Sequence, residues 1–448
     1  LKVLGVFYPK EEPLWSKTAI NPGAWYNLKV VTYAAALDWL FAQTRAGAAR
    51  GLSRIQALVE RLGHPERSFP AIQVIGTNGK GSVVAYLEAA FKASGTRYGA
   101  TTSPHLVDFR ERIRSDVGQI SEAEVVSFVE WAQSQNWDEP PAFFDLTTAL
   151  AFQHFARRGI EIAVVEAGVG GALDATGVLP EVRLTVITNV GEDHLEALGG
   201  SLEAVARDKA GAIRAGVPVL TGAAGVGLGV VRETALQRNA PLHLIADGDT
   251  VFDLPTKPVL HGAFQLENAR LAVAALRLLG YPEAAIALGL STAVHPGRMQ
   301  ELTLEGVHVV LDGAHNPPAA QALAREFSAY HLVFGGFPRK DYHTVLGHLL
   351  PKALTVRYAK AGKGALKASA LQHEYRAPYF EEPLQALSDA IAQAQKTGQP
   401  VLVTGSLYLV GAVLSSLPTP ANTLASSPSR ASAWALSPES TLNQRGNS

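Results

Sequence analysis

Apolar residues along this chain switch between two periods. Tyr33, Leu37, Leu40 and Phe41 recur at helical spacing, as do Ile55, Leu58, Val59 and Leu62, which predicts two amphipathic helices. From Ala71 the texture changes to short β-rich runs that alternate with helical ones. The pattern predicts strands over 72–75, 98–102, 160–166, 184–188 and 217–221, and helices over 82–93, 142–157 and 202–215. A shorter set follows, with strands over 307–311, 332–334, 354–358 and 401–404 and helices over 319–327 and 384–396. Alternation at this spacing implies right-handed crossovers and mostly parallel sheets, hence two α/β units.

The break between the units falls at His295-Pro296-Gly297-Arg298, where Pro and Gly interrupt a helical pattern. Residues 1–30, with Pro9, Pro13, Pro22 and Gly23, read as an irregular lead-in, and 418–448 as a disordered tail rich in Pro, Ser, Ala and Thr. The domains expected between them are 31–297 and 298–417.

Composition narrows the classes. The 448 residues carry 39 Lys+Arg against 40 Asp+Glu, so no overall charge draws the chain to nucleic acid or an anionic membrane. A hydrophobic content of 47% supplies material for large cores. The absence of cysteine removes disulfides, thiolate nucleophiles and Cys-bound zinc, and leaves any metal to oxygen or imidazole ligands. No stretch reads as a signal peptide or a membrane span, and a cytoplasmic protein is expected. The chain begins with Leu1 and has a single methionine, Met299, which raises the question of a misassigned or missing start.

The strongest chemical signal is Gly76-Thr77-Asn78-Gly79-Lys80-Gly81-Ser82, between a predicted strand and a predicted helix. Glycines let backbone N–H groups turn toward phosphate oxygens, and a helix N-terminus adds its dipole. Lys80 can reach β- and γ-phosphates, and the Ser82 hydroxyl is placed to ligate Mg²⁺. Further strands end in Glu166, before Gly168, Gly170 and Gly171, and in Thr188-Asn189, before Asp193-His194. Ligands gather at the carboxyl ends of parallel strands, so Glu166 and His194 could face Ser82 across one crevice. Each also has a plain alternative, a solvated loop carboxylate and a helix-cap histidine.

Several further motifs follow in a fixed order. They are Thr102-Ser103-Pro104-His105-Leu106, Glu111-Arg112-Ile113-Arg114, Leu173-Asp174-Ala175-Thr176, Asp208-Lys209-Ala210-Gly211 and Gln265-Leu266-Glu267-Asn268-Ala269. After them come Gly297-Arg298, Asp312-Gly313-Ala314-His315-Asn316-Pro317 and Thr404-Gly405-Ser406-Leu407-Tyr408. With the phosphate loop, the Glu166 glycine run and Asp193-His194, this series resembles folylpolyglutamate synthases, including the bifunctional dihydrofolate synthase form, in the Mur ligase superfamily. The resemblance spans about residues 37–414.

It implies a larger N-terminal P-loop-type domain with the folate site and a smaller Rossmann-like C-terminal domain for glutamate. It also implies an ATP-dependent ligase that adds L-glutamate to a folate or dihydropteroate through an acyl phosphate. Gly76, Thr77, Asn78, Gly79, Lys80, Gly81 and Ser82 would hold the triphosphate, with Ser82, Glu166 and His194 around magnesium. Asn268, Arg298 and Asp312 match further ATP contacts. His315 matches a residue near the incoming glutamate, and Ser406 lies beside that site. Lys209 matches a lysine often carried as a carbamate, and Phe144, Asp145 and Thr147 lie in a folate-contacting segment. Lys80, Lys209 and His315 are the residues expected in catalysis.

Three departures fall around the pterin: Asp145 for the usual Glu, Ala172 for Arg and Gly177 for Asn. Only small-molecule substrates are expected, with no nucleic-acid or membrane partner, and a monomer. A peptidoglycan Mur ligase would share the loop but carry a further N-terminal domain, whereas 75 residues precede Gly76 here. A non-catalytic nucleotide-binding regulator would lack the motifs at 312–317 and 404–408. Trp131 and Trp137 read as packing or surface residues, and His343 and His348 as surface residues without a zinc partner. Lys340-Asp341 reads either as a family motif or as a solvated charge pair.

Overall fold

The computed structural model describes residues 31–44, 50–193 and 195–417. The lead-in 1–30, the tail 418–448 and His194 lie outside the described residues.

Two sheets organise the chain. The first takes strands β1 (Ala71–Ile75), β2 (Tyr98–Thr101), β3 (Ile113–Ser115), β4 (Gly118–Gln119), β5 (Ile162–Glu166), β6 (Val182–Ile187), β7 (Val219–Thr221) and β8 (Leu242–Leu244), in the order β4-β3-β2-β5-β1-β6-β7-β8. The second takes β9 (Gln300–Leu304), β10 (Val307–Leu311), β11 (Tyr330–Phe334), β12 (Ala353–Ala359), β13 (Tyr379–Phe380) and β14 (Val401–Thr404), in the order β13-β12-β11-β14-β10-β9. Both are parallel through their centres. Antiparallel pairs occur only toward one edge of each, at β2–β3–β4 and β9–β10.

The first sheet is covered on both faces, and the pleat shows how. Along β5, Ala163 and Val165 enter one core with Leu146, Leu150 and Phe155, while Ile162 and Val164 enter another with Val83, Leu87 and Ala272. Successive side chains point to opposite faces, so a strand apolar throughout must be buried on both. Gln73 breaks that run in β1; its amide donates to Thr176 Oγ1 at 3.0 Å and fixes the Asp-Ala-Thr turn beneath the sheet end.

Predicted elements agree with observed ones to within a few residues, the helix 202–215 stopping earlier, at Ala210. Helices Glu122–Ser134, Gly225–Gln237, Phe264–Leu278, Glu283–Thr292, Tyr342–Leu349, Ala368–Tyr375 and Leu407–Ser416 are not among those the apolar period predicts. The first carries its own start signal, a capping box between Ser121 and Glu124. Trp131 and Trp137 pack edge to face at 6.0 Å, and His343 is exposed. No helix among the described residues is long and apolar enough to cross a membrane.

Candidate active site

The carboxyl ends of β1, β5 and β6 open into a cavity of about 860 Å³ that the second sheet closes from the other side. The phosphate loop leaves fully buried β1 and enters helix Lys80–Ser94. Gly79 is left-handed, with φ +85°, and a β-carbon there would lie 2.2 Å from Asn268 Oδ1. The polar end of β6 splints the loop. Asn78 N donates to Asn189 Oδ1 at 2.9 Å, Thr188 Oγ1 to Asn78 O at 2.6 Å, and Thr77 Oγ1 to Gly191 O at 3.1 Å. The first N–H groups of the helix have no intrahelical acceptor and carry the positive dipole end. Lys80 Nζ donates to Gly76 O at 2.9 Å and stands 3.9 Å from Glu166 Oε1.

Glu166 is 5% exposed at the end of β5, which removes the solvated-loop reading. Burial pushes its pKa up; the Lys80 charge and the Ser103 N–H, 3.2 Å from Oε2, oppose that. Ser82 Oγ lies 3.1 Å from His295 Nδ1. Ser82 and Glu166 both line the cavity. Among the described residues no three His, Asp or Glu side chains gather as a metal cluster, and His194 is not among them.

Lys209 is 4% exposed and lines the same cavity. Its neighbouring carboxylates are engaged elsewhere: Asp208 with Arg50, and Glu203 with Arg207 at 2.7 Å. Among the described residues Lys209 has no ion-pair partner. Burial, and then the Lys80 charge, lower its pKa to about 7.

The second sheet contributes Arg298, Asp312 and His315, all lining the cavity. Asp312 accepts from Met299 N at 2.9 Å and Ala314 N at 2.8 Å. Burial raises its pKa, against the charge of Arg298. His315 Nδ1 lies 2.8 Å from Gly313 O, so that nitrogen carries the proton, and Nε2, 3.9 Å from Asp193 Oδ2, keeps its lone pair. Burial, then the Lys340 charge, lower the His315 pKa to about 4. The domains meet through side chains at the cavity edge. Asn316 Nδ2 donates to Asn78 Oδ1 at 3.0 Å and to Asp193 Oδ2 at 3.1 Å, and Lys340 Nζ to Asp193 Oδ1 at 2.6 Å. Lys340 and Asp341 are therefore not a solvated pair; Asp341 caps helix Tyr342–Leu349.

The opposite end of the cavity is aromatic and cationic. The Phe144 ring lies against Gly168. Asp145 accepts from Arg54 Nε and from Ala142 N, each at 2.9 Å, and so anchors the start of its own helix. Arg112 is 7% exposed, donates through Nε to His105 Nδ1 at 2.8 Å and covers the Phe143 ring at 5.1 Å. Thr147 and Ser406 do not line the cavity. Thr147 bonds back to Phe144 O, and Ser406 caps helix Leu407–Ser416. Residues absent from the sequence-based set are Asn189, His295, Asn316 and Lys340, all of which stand inside segments already singled out.

Comparison with known proteins follows the same division. Residues 74–215 match the Mur ligase middle domain, and residues 297–407 the Mur ligase glutamate ligase domain. A dihydrofolate synthase/folylpolyglutamate synthase of Bacillus subtilis is 31% identical over 424 residues, spanning 84% of this chain and 97% of that one. A probable bifunctional folylpolyglutamate synthase/dihydropteroate synthase of Haloferax volcanii is 33% identical over 84% of this chain, which spans half of that longer protein. The crystal structure of a bifunctional folylpolyglutamate synthase/dihydrofolate synthase from Yersinia pestis, complexed with AMPPNP and Mn ion, superposes with a TM-score of 0.74 at 29% identity, covering 86% of this chain and 97% of that one. Motif order, paired domains and near full-length similarity agree: the chain belongs to the folylpolyglutamate synthase/dihydrofolate synthase family of Mur ligases.

Proposed function

We propose that this protein is an ATP-dependent ligase that joins L-glutamate to a folate or dihydropteroate acid. The observation that carries the reading is convergence. A phosphate loop, a buried carboxylate, a buried lysine with a lowered pKa and the Arg298–Asp312–His315 set face one cavity between two domains. Residues 31–297 form the nucleotide and folate unit, and 298–417 the glutamate unit. The protein acts in the cytoplasm as a monomer.

A carboxylate oxygen of the pterin acid attacks the γ-phosphorus, the bond to the β-bridging oxygen breaks, and ADP departs. The glutamate amine then adds to the acyl carbon and expels phosphate, losing one proton. The loop N–H groups and Lys80 orient the triphosphate and offset charge on the transferring group. Asn268, Arg298 and Asp312 hold the rest of the nucleotide. The donor set of a hydroxyl and a buried carboxylate suits a hard divalent cation. Ser82 and Glu166, with His194, would hold magnesium, which when bound supplies positive charge beside the phosphates. His315 accepts a hydrogen bond from the incoming amine through Nε2. Closure of the two domains excludes water from the acyl phosphate. The folate acid occupies the Phe144–Asp145 end, with Thr147 and Ser406 supporting the walls from behind.

Lys209 is carbamylated in the active form. Capture of CO₂ requires the neutral amine, and a pKa near 7 keeps much of it neutral at physiological pH. Modification therefore rises as pH increases from 6 to 8 and is lost in acid. Lys209→Ala loses most activity and regains part of it with acetate. A ¹³C NMR carbamate signal from labelled bicarbonate checks this directly; an unmodified amine in a fully active sample refutes it.

The overall reading is tested by ADP release against dihydropteroate, tetrahydrofolate and a UDP-muramoyl peptide. Release should require both L-glutamate and one of the two pterin acids. Turnover with the muramoyl peptide alone, or independent of glutamate, would overturn it.

A further inference from the structure

The linker between the domains carries His295 into the phosphate loop. Its imidazole lies on Gly81: a β-carbon there would be 2.8 Å from Cε1 and 2.9 Å from Nε2. The same point is 3.7 Å from Glu166 Oε2, so ring and carboxylate approach one spot above the loop. On its other side the ring presents Nδ1 to Ser82 Oγ at 3.1 Å, and Ser82 is 3% exposed.

A serine hydroxyl has one proton and two lone pairs. It serves a cation well only when the proton points away, onto an acceptor. We propose that His295 is a positioning residue for the metal: its Nδ1 accepts the Ser82 proton and so turns the hydroxyl lone pairs toward the divalent cation. This rests on the reading of Ser82 and Glu166 as metal ligands.

The imidazole offers Nδ1 as an acceptor in the tautomer that carries its ring proton on Nε2. Gly81 is the residue that lets the ring settle, since any side chain would displace it. Three positions further on, Arg298 reaches the cavity from the second domain. The placement of the linker and the orientation of a metal ligand are thus joined by one hydrogen bond.

The test measures Mn²⁺ affinity by electron paramagnetic resonance, with saturating ADP, in the full-length protein. The parent should bind Mn²⁺ and Ser82→Ala should bind it weakly; failure of either sinks the metal-site reading itself, and the inference with it. His295→Leu removes the acceptor and should weaken Mn²⁺ about ten- to a hundredfold, the range for loss of a partner behind a metal ligand. His295→Asn places an amide oxygen near the Nδ1 position and should restore affinity to within a few-fold of the parent. His295→Gln places its amide near Nε2 and should not. ADP affinity without metal should stay at the parent value in all three, which separates the effect from misfolding. In a double-mutant cycle, His295→Leu should add little to Ser82→Ala, because both remove the same interaction. With the parent and Ser82→Ala behaving as stated, parent-like binding by His295→Leu overturns the role. Equal binding by the Asn and Gln variants, or additive losses in the cycle, also overturns it. Should the leucine variant not fold, the contrast between Asn and Gln decides alone.

Discussion

The two ends of the cavity handle buried charge in opposite ways. At the aromatic end, Arg54 is held by Asp145 and Glu139. At the phosphate end, Lys209 has no ion-pair partner among the described residues, and Glu166 has its nearest cation 3.9 Å away. A buried charge without a close partner costs several kcal/mol, which a folded protein tolerates where a ligand completes the set. Charges already matched inside the protein build the wall; charges left unmatched mark where substrate and metal belong. Asp145 therefore acts first as a helix anchor, whatever it offers the pterin.

The sharpest way to break that contrast is at Glu166. Glu166→Ala should preserve the fold while lowering kcat about a hundred- to a thousandfold, the scale of misplacing the positive charge that stabilises the reacting phosphate. It should also raise the Mg²⁺ concentration needed for turnover. A magnesium titration matching that of the parent would assign Glu166 to the wall instead.

Arg54→Ala makes the complementary change, and its effect belongs in stability. Arg54 and Asp145 have side chains 11% and 8% exposed, and removing one partner of such a pair costs about 3–5 kcal/mol. Urea unfolding should show that loss, while kcat at saturating substrate in the folded fraction stays within a few-fold. A large fall in kcat with unchanged stability would place Arg54 among the reacting groups.

Arg112 tests the boundary between the classes. It lies at the matched end, yet its guanidinium has one hydrogen bond, to His105, and no carboxylate partner among the described residues. Burial lowers its pKa to about 10, so it remains a cation at neutral pH. Arg112→Met should raise KM for the pterin acid about tenfold, the effect of losing one charge-assisted hydrogen bond, and leave KM for ATP unchanged. Equal changes in both constants would mean that it only packs against Phe143.

Much of this arrangement is legible along the chain. The central parallel strands β1, β5, β6, β10, β11 and β14 are mostly apolar segments of four to six residues, and that texture locates them. The missed elements have local reasons. Helix Gly225–Gln237 has three glycines in its first five residues, which obscures its period. Strands β3, β4 and β13, at or next to a sheet edge, are two or three residues long, too short for any period to show. Helix Glu122–Ser134 was marked by its capping box rather than by its apolar face. The chemistry of the site is similarly divided: Gly76–Ser82 and Glu166 announce themselves by position at strand ends, whereas His295 reads as part of a linker.

The sequence by itself determined the α/β class, the order of motifs and the loop that takes phosphate, because each depends on residues close together in the chain. Period, turn chemistry and strand-end position are local properties. Only the tertiary structure decided which charges are matched. Asp208 could have served Lys209, its neighbour, but a bond to Arg50, 158 residues away, takes it instead. Asn78 meets Asn316 across 238 residues, and Ser82 meets His295 across 213. Side chains on a closed sheet end compete for partners in space, and no local pattern records who wins. The lowered pKa of Lys209 follows from burial, a property of the packed molecule rather than of the chain.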